Sequence, residues 1–323
     1  MTVRTNLIAA LVASAAFAAP AAAQTAYVSN ERSNTVSVID VASGELLDTF
    51  EVGQRPRGIL LSKDGKYLYI CASLDNAVEI RDRKTGELVA VMPSGNDPEQ
   101  FFLSQDGKTL FVSNEDDAAT TAIDLETRLV AWQVPVGEEP EGIAQSPDGK
   151  WLLVASEEDS IVSWIDLATR EVVHEMETDV RPRHIEFTPD GSRVWIAAEI
   201  GQTVHVVDVA GKEIIETISF APPGALPYKI LPCGIRFTPD GKTAVVALGR
   251  ADSIALVDTA TFEVTNYVQT GGRPWHLAIT EDGKLAVVAN GTSEDVAVVD
   301  LASATVVSTI PAGEGPWGVV LVN

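Results

Sequence analysis

Cysteine and histidine are scarce. The 323 residues include two Cys, Cys71 and Cys233, and four His. That leaves no disulfide framework, no zinc-finger spacing and no Cys-x-x-Cys-His segment for covalent haem. Cupredoxin-type ligands are missing too, so the sequence offers no resident electron-transfer centre and implies no cofactor and no bound metal. Basic residues are also few: 23 Lys plus Arg stand against 46 Asp plus Glu, a formal charge of −23. Phosphate neutralisation needs clustered Lys and Arg, so nucleic acid is excluded as a partner, and so is docking on an anionic membrane through surface charge. The one extended apolar stretch, Leu7 to Ala19, is too short and too Ala-rich to anchor in a bilayer. No segment keeps a sustained 3.6-residue period, so helices should be nearly absent.

The first residues read as a leader. Arg4 supplies the positive start, the apolar stretch follows, and Ala21-Ala22-Ala23 fits small-residue cleavage. The expectation is a cleaved signal peptide over 1–23, a periplasmic mature chain over 24–323, and no membrane span after cleavage. With 46% apolar and 21% charged residues the chain has a globular composition.

Three columns of residues recur. Asp-Gly pairs stand at Asp64-Gly65, Asp106-Gly107, Asp148-Gly149, Asp190-Gly191, Asp240-Gly241 and Asp282-Gly283. A proline precedes each by about eight residues: Pro56, Pro98, Pro140, Pro182, Pro232 and Pro274, with Pro316 as a seventh. An Asp closes a β-rich run at Asp40, Asp82, Asp124, Asp166, Asp208, Asp258 and Asp300. The step is 42 residues in every column, except one step of 50 between the fourth and fifth members of the first two and the fifth and sixth of the third. Seven units and one eight-residue insertion account for essentially all of residues 24–323, so one domain is expected. Each unit reads as four short strands, as in Phe101 to Ser104, Thr109 to Ser113, Thr120 to Ile123 and Leu129 to Val134. The Asp-Gly pair supplies the positive-φ turn between strands one and two. Four strands per unit predict an all-β, seven-bladed β-propeller. The mature chain opens at strand two (Ala26 to Ser29) and ends on a strand one (Pro316 to Val322), so the C-terminal strand should complete the N-terminal blade and close the ring. Cys71 and Cys233 then fall in different repeats, on different strands, and should be free thiols.

The segments Ala26-Tyr27-Val28-Ser29-Asn30 and Asn34 to Asp40, followed by Gly44, resemble the YVTN-family β-propeller repeat. More narrowly, Gly53 to Gly58, Val136-Gly137 with Glu139-Pro140-Glu141-Gly142, Arg181-Pro182-Arg183 and Gly315-Pro316-Trp317-Gly318-Val319 resemble the subfamily associated with pyrroloquinoline-quinone-dependent alcohol catabolism. The resemblance implies an exported seven-bladed protein that accompanies periplasmic quinoprotein alcohol oxidation and its transport system. It implies no quinone bound here, because quinone-binding propellers typically have eight blades with a tryptophan motif in each. The six Trp of this chain (132, 151, 164, 195, 275 and 317) occupy no common repeat position.

Strand direction puts the proline segments and the loops after strand two on one face, around the channel mouth. Before the prolines stand Arg55, Asp97, Glu139, Arg181, Leu231, Arg273 and Gly315; after them stand Arg57, Glu99, Glu141, Arg183, Cys233, Trp275 and Trp317. One residue further, a glycine-rich column is interrupted by Gln100, His184 and His276, and the loops add Glu31, Glu115, Glu157 and Glu199. Acids dominate the repeats opened by Pro98 and Pro140, and Arg dominates those opened by Pro56, Pro182 and Pro274. This asymmetry reads as a binding site: Arg55, Arg57, Arg181, Arg183 and Arg273 for an anion, Trp275 and Trp317 as flat apolar surface, with Glu115, Glu139, Glu141, Glu199, His184 and His276 around them. The other reading is a self-neutralising ring of ion pairs. His184 and His276 belong to repeats two apart, so they should face each other only obliquely, as neutral hydrogen-bonding groups rather than a metal pair. His174 and His205 read as ordinary strand residues. Glu115-Asp116-Asp117 and Glu157-Glu158-Asp159 lack the alternating spacing of a calcium loop. Gly313-x-Gly315-x-x-Gly318 matches a dinucleotide fingerprint by letters only, with no helix behind it. Asn290-Gly291-Thr292 is a sequon with no expected use. The insertion, Phe220 to Leu231, rises from the site face as a lip, a partner contact or a tolerated loop.

The expectation is a monomeric, non-catalytic binding or scaffold protein. Its partner would be a quinoprotein dehydrogenase, a transport component, or a small anionic or aromatic ligand. The alternative is a propeller lactonase or lyase at the channel mouth, with an Arg holding the oxyanion and His184 or His276 as acid–base.

Overall fold

The computed structural model describes residues 24–322. The leader expected over 1–23 lies outside the described residues. Seven four-stranded antiparallel sheets form the propeller. Blades 1 to 6 span Pro56–Pro93, Pro98–Pro135, Pro140–Glu177, Pro182–Ser219, Pro232–Gln269 and Pro274–Pro311. Blade 7 combines Thr25–Asn30, Thr35–Asp40 and Glu45–Glu51 with the C-terminal strand Pro316–Val322. That strand pairs with Thr25–Asn30, so the ring closes as the repeat phase predicts. Helix is limited to three-residue 3₁₀ turns such as Gly249–Ala251, and no helix among the described residues is long and apolar enough to cross a membrane.

The second and third strands of each blade are apolar at consecutive positions because both faces of a blade are covered. Each blade-to-blade interface holds its own cluster; between blades 3 and 4 it is Leu153, Ala155 and Trp164 against Ile185, Val194 and Ile196. Outermost strands face water and alternate, as in Glu171–Glu177. The six Asp-Gly turns put Gly at φ of +69° to +74°, a region that favours glycine. A Ser or Thr two residues before each Asp bonds its carboxylate, as Ser62 does to Asp64 at 2.6 Å. Cys71 and Cys233 are buried free thiols, as their repeat positions imply.

Every blade proline is the first residue of an innermost strand, where its missing N–H is harmless. In all seven blades a register shift accompanies the proline. Such bulges re-aim side chains, and here they turn the residues after proline toward the channel mouth. The innermost strands crowd the axis: a Cβ on Gly142 would lie 2.8 Å from Arg183 O, and one on Gly234 2.8 Å from Trp275 O.

Candidate functional site

Six of the seven residues before the prolines are held in the left-handed region: Arg55 (φ 54°), Asp97 (46°), Glu139 (52°), Arg181 (65°), Arg273 (53°) and, in blade 7, Gly315 (70°); Leu231 of blade 5 is the exception. That conformation costs a side-chain-bearing residue about 1–2 kcal/mol. It is held by side-chain caps from the neighbouring blade. Arg55 N–H donates to Asn34 Oδ1 (2.9 Å), Asp97 N–H to Asn76 Oδ1 (2.9 Å) and Arg273 N–H to Asp252 Oδ1 (3.0 Å). Five charged side chains are thus presented at one rim by strained backbone, a pattern concentrated at functional sites.

Over blades 1 to 4 the arginines of this rim are met by carboxylates. Arg57 pairs with Glu99 and with Glu31 (3.0 Å). Arg55 reaches Asp97 (2.9 Å), Glu99 (3.3 Å) and Glu31 (3.3 Å). Asp97, Glu99 and Glu115 bring their carboxylates within 4.8 Å of one another, a grouping that could hold a cation. The Arg55 guanidinium already meets that charge on two of the three. Arg183 binds Glu141 (2.6 Å), Glu157 (2.8 Å) and Glu199 (2.9 Å), and Arg181 binds Glu157 (2.5 Å). Burial, reinforced by the Glu141 charge, pushes the Glu157 carboxyl up to about 10. Glu141 is held below the usual range, because Arg183, Glu157 and Arg57 outweigh the opposing effect of burial. The pair therefore carries one proton and one charge at neutral pH.

Below this network the channel is plugged. Gln100, His184 and His276 alternate with Gly142 and Gly234. Gln100 Nε2 lies 3.3 Å from Glu141 Oε1 and 3.4 Å from Arg183 O. The His184 and His276 rings meet edge-on with centroids 5.2 Å apart, and His276 packs on Trp317 at 4.1 Å. This differs from the oblique placement expected two blades apart: Gly234 between them draws the strands close enough for contact. Burial lowers both His pKa values, most for His276, where the neighbouring His184 adds to it, so both rings are neutral. His184 Nε2 lies 2.8 Å from Arg236 Nη1 and 3.2 Å from Ile235 O.

Over blades 5 to 7 the rim is open. The loop position that holds Glu31, Glu115, Glu157 or Glu199 in blades 7, 2, 3 and 4 is Ser73 in blade 1, Gly249 in blade 5 and Gly291 in blade 6. A Cβ on Gly291 would lie 2.5 Å from Trp275 Nε1, so its absence makes room for the indole. The vacated space is a cavity of about 460 Å³. Arg32, Lys229, Arg250 and Arg273 line it together with Glu31, Asp252 and Trp275. Arg273 lies over the Trp275 ring at 4.0 Å and bonds Glu199 Oε1 at 3.0 Å, yet its buried Nε has no partner. Lys229 and Arg250 form no ion pair among the described residues. Four cations converge on one concavity of a strongly acidic chain, an arrangement suited to an anion.

Of the residues expected at the site, Arg273 and Trp275 line this cavity. Arg55, Arg57, Glu141, Arg181, Arg183 and Glu199 belong to the paired network beside it, with Glu115 and Glu139 on the same rim. His184, His276 and Trp317 form the plug beneath. Arg32, Lys229, Arg250 and Asp252 escaped sequence reasoning. Their signal was the loss of Glu at Gly249 and Gly291, next to Arg250 and Thr292.

The family described as "Lactonase, 7-bladed beta-propeller" matches residues 13–128, 49–172 and 165–309. No curated protein matches significantly. Among solved structures, hydrazine synthase of Kuenenia stuttgartiensis is 21% identical with a TM-score of 0.78, over 86% of this chain and 92% of that one. A Bacteroides fragilis protein given provisionally as a 6-phosphogluconolactonase is 19% identical with a TM-score of 0.79, over 95% of this chain and 100% of that one. A Bacteroides uniformis protein of the same provisional description is 18% identical with a TM-score of 0.77, over 93% and 99%. At these identities the structural likeness concerns the fold.

Proposed function

The chain belongs to the seven-bladed β-propeller lactonase family, and on that premise we propose that it hydrolyses a lactone carrying an anionic group, in the cavity over Trp275. The observation that carries this reading is the convergence of Arg32, Lys229, Arg250 and Arg273 around two carboxylates on a chain of charge −23. Lys229 and Arg250 hold the substrate's carboxylate or phosphate. Trp275 underlies the ring. Asp252 is the general base: Oδ1 is fixed by the Arg273 N–H at 3.0 Å, leaving Oδ2 to take a proton from water. The corresponding cap is Asn34 in blade 7 and Asn76 in blade 1, so Asp at 252 keeps the cap and adds a charge. Arg273, tied to Asp252 by that bond, stabilises the oxyanion as water adds to the lactone carbonyl. The ring C–O bond then breaks, the proton passes to the departing alkoxide, and a hydroxy acid results. His184 and His276, in the plug, take no part.

The test is proton release from neutral, carboxylated and phosphorylated aldonolactones. Wild type should accelerate hydrolysis of the anionic members. Asp252→Asn should lower kcat by about a hundred- to ten-thousand-fold, and Arg273→Ala by about a hundred- to a thousand-fold. No rate above the spontaneous one, with any lactone, sinks the proposal.

The pairing of the rim arginines with carboxylates over blades 1 to 4 favours a second reading, a non-catalytic binding protein of the periplasm that serves quinoprotein alcohol oxidation or its transport. Retention of an anion without turnover in the same assay would select it.

A further inference from the structure

Six of the connections from an outermost strand to the next innermost strand span four residues, as at 52–55; the connection from blade 4 to blade 5 spans twelve, 220–231. The extra residues build a wall. Tyr267 Oη accepts the Ala221 N–H at 2.7 Å and ties down one end. At the other end Gly249 lies against Leu231: a Cβ there would be 2.7 Å from Leu231 O. The turn Pro227–Lys229 packs on Gly249–Ala251. The wall encloses a second cavity, of about 440 Å³, which shares Lys229, Arg250 and Asp252 with the first. The two are compartments of one groove, with the cations at their junction. The outer compartment adds no further charged side chain. Its lining is Ser253, Tyr267 and Gln269, which offer hydrogen bonds, and Pro223 and Leu226, which offer apolar surface.

We infer that the groove binds a two-unit acidic sugar: a lactone unit over Trp275 that carries a further carboxylate or phosphate, that anionic group at Lys229 and Arg250, and a second, uncharged sugar in the compartment made by the insertion. Uncharged hydrogen-bonding groups beside small apolar surfaces suit a hydroxylated ring. They do not suit a second anion, which would seek its own cation, or an alkyl tail, which would leave the Gln269 amide unpaired. The inference rests on the reading of the inner cavity as a sugar-acid lactone site. It adds that the insertion selects substrate length.

The experiment is calorimetric titration with gluconate, a one-unit acid, and lactobionate, a two-unit acid, the carboxylate of each standing in for the anionic group held by Lys229 and Arg250. The proteins are wild type and two variants that fill the outer compartment from exposed positions, Gln269→Trp and Leu226→Trp. Wild type should bind lactobionate about tenfold or more tightly than gluconate. Both variants should lose that advantage and keep their gluconate affinity. Equal affinities in wild type, or an advantage that survives both variants, overturn the inference and leave the lactonase reading standing. Failure of wild type to bind either acid removes both.

Discussion

The two sides of the proline face use the same repeat positions to opposite ends. Over blades 1 to 4 each Arg beside a proline finds carboxylates, most of them from a neighbouring blade, and Arg55 and Arg183 each meet three. In blades 5 and 6 the loop glutamate gives way to Gly249 and Gly291, over blades 5 to 7 the residue after proline is Cys233, Trp275 or Trp317, and among the described residues the cations Lys229 and Arg250 are left without ion pairs. A charge ring that only separated blades would neutralise itself all the way round. This one stops doing so where a cavity and an indole appear. The closed side fixes the geometry, and the bridge between the sides is Arg273, bonded to Glu199 and facing the open cavity.

The largest expected effect separates the sides by stability. Arg183 is 5% exposed. Arg183→Ala would leave Glu141 without its buried ion-pair partner, a loss of about 3–5 kcal/mol. Arg250→Ala, on an exposed residue with no ion pair, should leave the melting temperature within a degree or two, about 0.5 kcal/mol or less. Thermal denaturation of the two variants side by side reads the difference. Equal losses would mean that the open side is structural as well.

A second substitution removes the contrast. Gly291→Glu restores in blade 6 the carboxylate found at Glu157 and Glu199. It also puts a Cβ where the Trp275 indole lies, so the ring must move. Anion binding and lactone hydrolysis should fall by about a hundredfold or more as the cavity closes on an internal charge. Stability should change by no more than about 1–3 kcal/mol, the usual cost of overfilling. Unchanged activity in a folded Gly291→Glu protein would place the site elsewhere.

The fold was legible because its devices are periodic. The Asp-Gly pairs require positive φ, the prolines tolerate only strand starts, and the apolar second and third strands require cover on both faces. The closed side of the face was half legible: the columns around Pro56, Pro98, Pro140 and Pro182 named its Arg and Glu, but not which would pair. The open side was largely illegible. Lys229 comes from the non-repeating insertion, Arg32 and Arg250 stand at a loop position that is acidic in other repeats (Asp116, Glu158), and Asp252 passes for a capping residue beside Asn34 and Asn76. His184 and His276 attracted a catalytic reading because His is rare here. The glycines around them bring the strands close enough that the two rings meet and fill the axis.

The smallest effect probes the closed side through pH. Glu157 has its carboxyl raised from an ordinary 4.5 to about 10 by burial and the Glu141 charge, with Arg181 and Arg183 opposing. Between those values the folded protein holds a proton that the unfolded chain has released, so stability must fall as pH rises. Glu141, depressed by Arg183 against the effect of burial, acts on the other limb: its contribution is present above its ordinary range and lost as pH falls. Glu157→Gln keeps a neutral partner for Glu141 and removes the titrating proton. The decline in melting temperature from about pH 5 to about pH 9 should flatten in the variant, while the acid limb stays where it was. Parallel alkaline limbs would mean that Glu157 is ionised in the native protein. Arg181 and Arg183 would then face a full negative charge on each of Glu141, Glu157 and Glu199, and the closed side would be less fully neutralised than its geometry implies.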